Sequence, residues 1–304
     1  MPRPASLPSL ACALSGVLFM VGCFQPTQNE SEAKPLATAA ATAAPTLGVY
    51  WTSQGTNASD VGAGAGKVFI TTKDKKLMIK TGVGVWKATS GQGTMVDVDW
   101  AGWPWIVGTD KQIWEGALRT DNTIGWWTAH PGIYAADVGV GKCSNDWGIS
   151  AIDNIEAPGW AGNHYAYNWV NGAWKQDGYA AVKTETGPNC STWRVQLTGQ
   201  LIEGVLDPAT NKTAWYFHNE TIPGGQTVKA TDIGIGANGA VWITSYASVN
   251  SAGDKAIYRY RAGSTPGSGS WELAQGEGVR ISVDDQGNPW VVKASGEVLS
   301  GIAF

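Results

Sequence analysis

The chain has 304 residues, of which 43% are hydrophobic and only 15% are charged. A formal net charge of -4 gives no indication of a basic surface for nucleic acid, and three histidines leave little material for metal or acid–base chemistry. Forty glycines predict many tight turns, and 17 tryptophans each need a packing partner or a ligand.

The first residues are typical of an export signal. Arg3 precedes a short apolar run over residues 10–22, which is too short to span a membrane comfortably. The run ends Leu18-Phe-Met-Val-Gly-Cys23, which resembles the lipobox of bacterial lipoproteins. The resemblance implies a signal peptide over residues 1–22, acylation of Cys23 and, since no aspartate follows, anchoring to the outer membrane or cell surface. A plain secretory signal is the alternative.

Residues 23–46 are rich in Ala, Thr, Pro, Gln and Glu and predict a flexible tether. The cysteines agree with export. Cys12 leaves with the signal and Cys23 takes the lipid, so Cys143 and Cys190 remain as a pair. An even number of remaining cysteines in an exported domain favours a disulfide. A reactive thiol pair is the alternative, but the sequence has no CxxC pattern to suggest one.

Two interleaved tryptophan series divide the rest of the chain, residues 47–304, into six repeats of about 35 to 56 residues, close to the length of a propeller blade. The first series is Trp51, Trp86, Trp127, Trp174, Trp215 and Trp271. The second is Phe69, Trp105, Trp147, Trp193, Trp242 and Trp290.

Each repeat contains the pattern of four strands. Alternating Ile and Val lead to glycines at hairpin turns that need a positive φ angle, namely Gly66, Gly102, Gly239 and Gly287. Third strands are predicted at 77–79, 113–114, 165–167, 201–202, 257–258 and 298–299. The chain starts with a fourth-type strand near Trp51 and stops after a third-type strand. We therefore expect an all-β, six-bladed propeller of four-stranded antiparallel blades, closed by the N-terminal strand completing the last blade.

A specific resemblance lies in repeats five and six. The phrase Asp232-Ile-Gly-Ile-Gly-Ala-Asn-Gly-Ala-Val-Trp242, followed by Ile257-Tyr-Arg-Tyr260, Trp271 and Arg280-Ile-Ser-Val283, resembles the tectonin repeat. Tectonin-family proteins are six-bladed propellers, and several are lectins that bind bacterial surface sugars or methylated glycans. The resemblance implies a non-catalytic, carbohydrate-binding surface lipoprotein that needs no cofactor.

Five tryptophans have no place in the repeat: Trp100, Trp103, Trp126, Trp160 and Trp169. In a four-stranded meander the first and third turns share one face, which predicts Trp100, Trp103, Trp126 and Trp169 on one face and Trp160 on the other. Sugar rings stack on indoles, so a glycan is a natural cover for exposed tryptophans, although such side chains also cap loops or fill gaps. Asp97, Asp99, Asp121 and Asn122 lie near these aromatics and could bind sugar hydroxyls or form turns.

The remaining candidates have ordinary structural interpretations. His130 and His218 hold equivalent positions in separate repeats, so we expect no shared metal site. Asp60, Asp137 and Asp232 share one inner-strand position, which predicts a role in bridging blades at the channel. No catalytic motif is evident. The candidates are therefore a glycan-binding propeller using Trp100, Trp103, Trp126, Trp169 and Asp99, a protein-interaction platform on the same face, or a propeller hydrolase.

Overall fold

The computed structural model describes residues 46–142, 147–207 and 212–304, without the side chains of Lys142 and Trp147. The signal, the tether, Cys23 and Cys143 therefore lie outside the described residues. Within the described part, no helix is long and apolar enough to cross a membrane. The predictions of a lipid anchor and of outer-membrane localisation stay predictions.

The described residues fold almost entirely into strands, with one short 3-10 helix at Pro188–Cys190. The strands are β1 Val49–Gly55, β2 Ala58–Gly64, β3 Lys67–Thr72, β4 Lys76–Gly82, β5 Val85–Val98, β6 Pro104–Gly108, β7 Ile113–Leu118, β8 Ile124–His130, β9 Ala135–Lys142, β10 Trp147–Glu156, β11 His164–Val170, β12 Ala173–Gln176, β13 Lys183–Thr186, β14 Thr192–Val195, β15 Leu201–Asp207, β16 Lys212–His218, β17 Ala230–Ile235, β18 Val241–Ser248, β19 Lys255–Ala262, β20 Gly269–Gly278, β21 Arg280–Val283, β22 Pro289–Val292 and β23 Val298–Ala303. All six predicted third strands are confirmed, within β4, β7, β11, β15, β19 and β23.

Four sheets have four strands each, and neighbouring strands are antiparallel. They contain β9 to β12, β13 to β16, β17 to β20, and β21 to β23 followed by β1. In the last of these sheets β1 pairs with β23, with Trp51 opposite Gly301. The N-terminal strand is therefore the fourth strand of the sheet formed by the C-terminal end of the chain.

The remaining strands, β2 to β8, form one seven-stranded sheet. Its middle strand β5 is 14 residues long and is shared: Val85 to Gln92 pair with β4, and Gly93 to Val98 pair with β6. The sequence predicts six separate sheets, whereas the described residues form four four-stranded sheets and this joined one. The reason is that the backbone stays extended through Gly93 instead of breaking between repeats one and two.

The second tryptophan series holds its predicted position in most repeats. Phe69, Trp105, Trp193, Trp242 and Trp290 are buried. Each lies opposite the third residue of the repeated first-strand segment, which begins at Asp60, Met95, Lys183, Asp232 or Arg280. Repeat four has the same register, with Glu185 opposite Trp193, although its sequence shares only the spacing of the other repeats and not their residues. Repeat three departs from the prediction, because Ser150 lies opposite Gly139 and Trp147 pairs three residues away, with Lys142.

The first tryptophan series joins each repeat to the one before it. The indole nitrogen of Trp51 donates to the Gln275 carbonyl at 2.8 Å, and that of Trp174 donates to the His130 carbonyl at 3.1 Å. Trp86 donates in the same way to the Gln54 carbonyl. These three rings are half-buried and have a satisfied N–H, which makes them structural, as the sequence predicts.

The first strands of the predicted repeats lie next to one another: β2, residues 93–98 of β5, β9, β13, β17 and β21. Each contacts the next, and β21 contacts β2. Their residues line one common cavity. The glycines of the Asp-x-Gly-x-Gly segments allow this approach, because a Cβ on Gly139 would lie 2.6 Å from the Cα of Glu185.

Candidate functional site

The central cavity has no room for an organic ligand. It measures about 20 Å³, which accommodates roughly one water molecule. Its lining includes five carboxyl side chains, from Asp60, Asp97, Asp137, Glu185 and Asp232, and all five are buried. Burial of so many acids requires hydrogen bonds or opposite charges.

Hydrogen bonds to backbone amides satisfy three of these acids in one repeated way. Asp60 accepts from the Val96 N–H at 2.8 Å, and Asp137 accepts from the Thr184 N–H at 2.8 Å. Asp232 accepts from the Ile281 N–H at 2.9 Å. Each bond crosses from one first strand to the next, which confirms the predicted bridging role.

Two cations balance part of the negative charge. The Lys183 ammonium lies 2.8 Å from Asp137 and 3.7 Å from Asp232, and Arg280 lies 4.0 Å from Asp60. Burial nevertheless raises the pKa of Asp60 to about 7 and also raises that of Asp137. Asp60 and Asp137 therefore ionise less readily than ordinary carboxyls.

The Asp97 and Glu185 carboxyls interact directly through a hydrogen bond. Burial raises the pKa of Asp97 to about 7, and burial together with the nearby Asp97 charge raises that of Glu185 well above its usual range. Asp97 already accepts from the Val98 and Val140 N–H groups. Glu185 is therefore the group that holds a proton, and it donates that proton to Asp97.

The exposed aromatics that the sequence singles out lie beside β5 to β8. Trp100 is 48% exposed and Trp126 is 60% exposed. Trp103 is half-buried and meets Trp126 edge to face, with ring centroids 6.4 Å apart. We call Trp100, Trp103 and Trp126 the indole surface. Trp126 belongs to β8 itself, not to the turn before it.

The polar residues predicted beside these rings have other partners. The Asp99 carboxylate is buried and accepts from the Ala101 and Trp103 N–H groups and from the Trp105 indole, so it forms the turn. Asp97 lies in the central cavity, as described above. Asp121 accepts from Thr123, and Asn122 accepts from the Lys67 ammonium. The turn interpretation therefore accounts for Asp99.

Trp169 is not brought together with the indole surface. It lies within β11, where its ring packs against Trp174 at 5.0 Å and His130 at 4.9 Å between centroids. Trp160 lies in the turn between β10 and β11 and contacts Tyr179 at 5.6 Å. Trp169 therefore packs within the fold, and the expectation that it shares a surface with Trp126 is wrong.

A surface pocket of about 260 Å³ was not predicted from the sequence. We call it the Trp114 pocket; its lining is Ser90, Gly91, Gln92, Ile106, Gly108, Thr109, Asp110, Trp114 and Trp127. Trp114 and Trp127 both hold regular positions in the repeat, so the sequence did not indicate that they line a pocket. The available signal was Trp114 itself, because no other repeat has a tryptophan there: the equivalent position holds Met78, Tyr167, Ile202, Tyr258 or Leu299.

The histidines and cysteines provide no metal site in the described part of the chain. His130 contacts Glu115 at 3.2 Å and His218 contacts Glu220 at 2.9 Å, each packing on a tryptophan of its own repeat. Across these residues no group of three His, Cys, Asp or Glu could hold a metal ion. Because Cys143 lies outside them, its pairing with Cys190 stays a prediction.

Comparison with known proteins establishes the fold and nothing finer. No family model and no curated protein matches the sequence. The β-propeller domain of Cps50 (Swd1) from Myceliophteria thermophila is 6% identical, with a TM-score of 0.50 over 80% of this chain and 82% of that one. The WD40 repeats of RRP9 are also 6% identical, with a TM-score of 0.50 over 84% and 97%. A streptogramin B lyase is 14% identical, with a TM-score of 0.49 over 84% and 98%.

The two likenesses with a TM-score of 0.50 and the sheets together define the class of protein. It is an all-β propeller with four-stranded antiparallel blades. At such low identities the neighbours carry no information about ligands or chemistry.

Proposed function

We propose that this protein is a carbohydrate-binding propeller that holds glycans against the indole surface. The observation that carries the proposal is the contact between Trp103 and Trp126, with Trp100 in the same turn as Trp103 and with Trp100 and Trp126 exposed. Exposed indoles are unfavourable in water, and the apolar C–H face of a sugar ring covers them. Asp99 supports the site indirectly, by fixing the turn that carries Trp100 and Trp103.

We further propose that the ring is closed and has six blades. In that arrangement the seven-stranded sheet counts as two blades that share β5, and β1 completes the last blade. The cyclic contacts of the first strands and the β1–β23 pairing support this count. The tectonin-like phrases of repeats five and six favour a lectin of that kind. The lipobox resemblance supports a lipid anchor at Cys23 on the outer membrane or cell surface, where a Cys143–Cys190 disulfide can persist.

A glycan array tests the function. Wild-type protein is expected to bind a subset of glycans or bacterial polysaccharides, and the double variant Trp100→Ala/Trp126→Ala is expected to lose affinity by about tenfold or more, since each lost stacking contact is worth about 1 kcal/mol. Tyr134→Ala is the matched control, because Tyr134 is an equally exposed aromatic that lies just before β9, outside β5 to β8. Wild-type protein without sugar-dependent binding, or a double variant that binds normally, would contradict the proposal.

A protein-interaction platform is the second candidate, and one observation favours it. Three successive sheets expose an apolar side chain near the second turn: Trp160 and Leu197 in the turns themselves and Tyr246 near the end of β18. Leu197 lies against Gly162, and Tyr246 lies against Gly199, so these turns are neighbours. Binding to a protein that persists in excess sugar and is lost in Leu197→Asp/Tyr246→Asp would favour this function over the first.

A further inference from the structure

We infer that the Trp114 pocket is a second ligand site, which takes one neutral pyranose ring of a glycan. This inference rests on the proposed function and names the part of the glycan that a separate site recognises. It concerns residues that the repeat pattern assigns to packing alone. The size, walls and charge of the pocket carry it.

The size of the pocket suits a single ring. Its volume of about 260 Å³ lies just below the range of about 300–1,000 Å³ that is typical of sites for drug-sized molecules. The polar lining residues Ser90, Gln92, Thr109 and Asp110 are exposed, so the pocket opens to solvent. One sugar ring at the end of a chain can enter, whereas a folded oligosaccharide is too large.

Two glycines let the indoles form the walls. A Cβ on Gly91 would lie 2.6 Å from Cζ2 of Trp127, and a Cβ on Gly108 would lie 3.0 Å from Cδ1 of Trp114 and 2.5 Å from the Asp110 carboxylate. Each ring therefore lies directly against backbone. Flat indole walls held in this way present apolar faces of the kind that the C–H groups of a pyranose cover.

Hydrogen bonds fix both rings and leave polar groups for a ligand. The Trp127 indole donates to the Ser90 hydroxyl at 3.2 Å, and Ser90 can donate its own hydrogen onward. The Trp114 indole donates to both oxygens of Asp110, at 3.3 and 3.2 Å, and the Gln112 N–H donates to Oδ1 at 3.0 Å. Asp110 Oδ2 can accept a further hydroxyl.

The charge of the pocket selects among sugars. Asp110 is the charged residue of the lining, and it is negative. It attracts hydroxyl donors and repels a carboxylate or phosphate on the ligand. A neutral hexose or deoxyhexose therefore fits, and an acidic sugar does not.

The pocket is separate from the indole surface. Trp126 and Trp127 are successive residues of β8, so their side chains point to opposite faces of the sheet. Trp127 crosses Gly116 to reach Gly91, whereas Trp126 meets Trp103. Variants of one site therefore leave the other intact.

The test is titration of the full-length protein with methyl glycosides of neutral hexoses and deoxyhexoses and, separately, with sialic acid. Binding is measured by calorimetry and by saturation-transfer NMR. A neutral glycoside is expected to bind, with sialic acid at least tenfold weaker. Trp114→Leu is expected to lower affinity at least tenfold, and leucine is compatible with the fold because Leu299 holds the equivalent position. Thr109→Arg, which fills the entrance without changing either indole, should have the same effect.

Trp100→Ala/Trp126→Ala is the matched control and is expected to keep monosaccharide binding. If Trp114→Leu and Thr109→Arg bind as wild type does, or if no neutral glycoside binds while the array is positive, the pocket inference is overturned and the proposed function stands. An array that is negative for wild-type protein refutes the proposed function itself.

Discussion

The centre of the propeller and the Trp114 pocket use glycine in opposite ways. At the centre, Gly62, Gly139 and Gly234 let the backbones of successive first strands meet, and about 20 Å³ remains open. In the pocket, Gly91 and Gly108 let indoles lie against backbone, and about 260 Å³ remains open. The same residue type therefore closes one region and opens the other.

The difference teaches where to look for function in a repeat protein. The central glycines and acids recur in alternate repeats, and each recurrent acid already bonds to the next strand. Trp114 instead occupies a position that varies between repeats, from Met78 and Leu299 to Tyr167 and Tyr258, and it lines a pocket. A recurrent residue that bonds to the next strand marks packing, and a variable position that lines a pocket marks a candidate site.

Gly139→Ala tests the central region and should have the largest effect. The added Cβ would lie 2.6 Å from the Cα of Glu185 and 2.8 Å from the Thr184 carbonyl, so two first strands must separate. We expect a loss of about 3 kcal/mol in the free energy of unfolding, measured by urea denaturation.

Gly82→Ala is the control for that substitution. Its new Cβ would meet only the Val85 side chain, at 3.5 Å, which is an ordinary contact. Stability within about 0.5 kcal/mol of wild type is expected. Equal effects of the two substitutions would show that the close approach at the centre does not stabilise the fold.

The fold was largely predictable because its signals are local. Period-two alternation and positive-φ turns define hairpins, and Gly66, Gly102, Gly239 and Gly287 have φ angles of 69°, 82°, 82° and 84°. The joined sheet was not predictable, because no residue marks whether β5 bends between Gln92 and Gly93. The register of repeat three was also not predicted: Ser150, not Trp147, lies opposite Gly139, and the spacing of residues in the sequence does not reveal register.

The two neighbouring tryptophans of β8 provide the next test. Trp127 is half-buried over Gly116 and donates to Ser90, whereas Trp126 is 60% exposed. Trp127→Ala is expected to destabilise the protein by about 2 kcal/mol, and Trp126→Ala by less than about 0.5 kcal/mol. Thermal unfolding of both variants measures this contrast, and similar losses would contradict the assignment of Trp126 to the surface.

The candidate site was less predictable than the fold. The tryptophans that have no place in the repeat include Trp100, Trp103 and Trp126 but also Trp169. The ring of Trp169 packs against Trp174, its cross-strand neighbour, and against His130 of the preceding repeat. Trp114 was not among the candidates, because it occupies a third-strand position of the repeat. Which face a ring covers depends on three-dimensional contacts that spacing does not encode.

The smallest expected effect concerns the proton that Asp97 and Glu185 share. Burial raises the pKa of Asp97 from 3.8 to about 7 and also raises that of Glu185, so the native state binds more protons than the unfolded state between about pH 4 and 7. Stability contributed by the pair is therefore present at low pH and lost as pH rises through that window. The other charged groups around the pair are unchanged when wild type is compared with a Glu185 variant. They are Asp60, Asp137, Lys183, Asp232 and Arg280.

Glu185→Gln removes one titrating group and keeps an N–H that can donate to Asp97, as protonated Glu185 does. The fall in unfolding free energy between pH 5 and pH 8 should therefore be about 1 kcal/mol smaller in this variant than in wild type. Glu272→Gln, an exposed acid paired with Arg261, should leave the slope unchanged. Parallel pH profiles for wild type and Glu185→Gln would contradict the raised pKa of Glu185, because they would mean that this carboxyl binds no more protons in the native state than in the unfolded state.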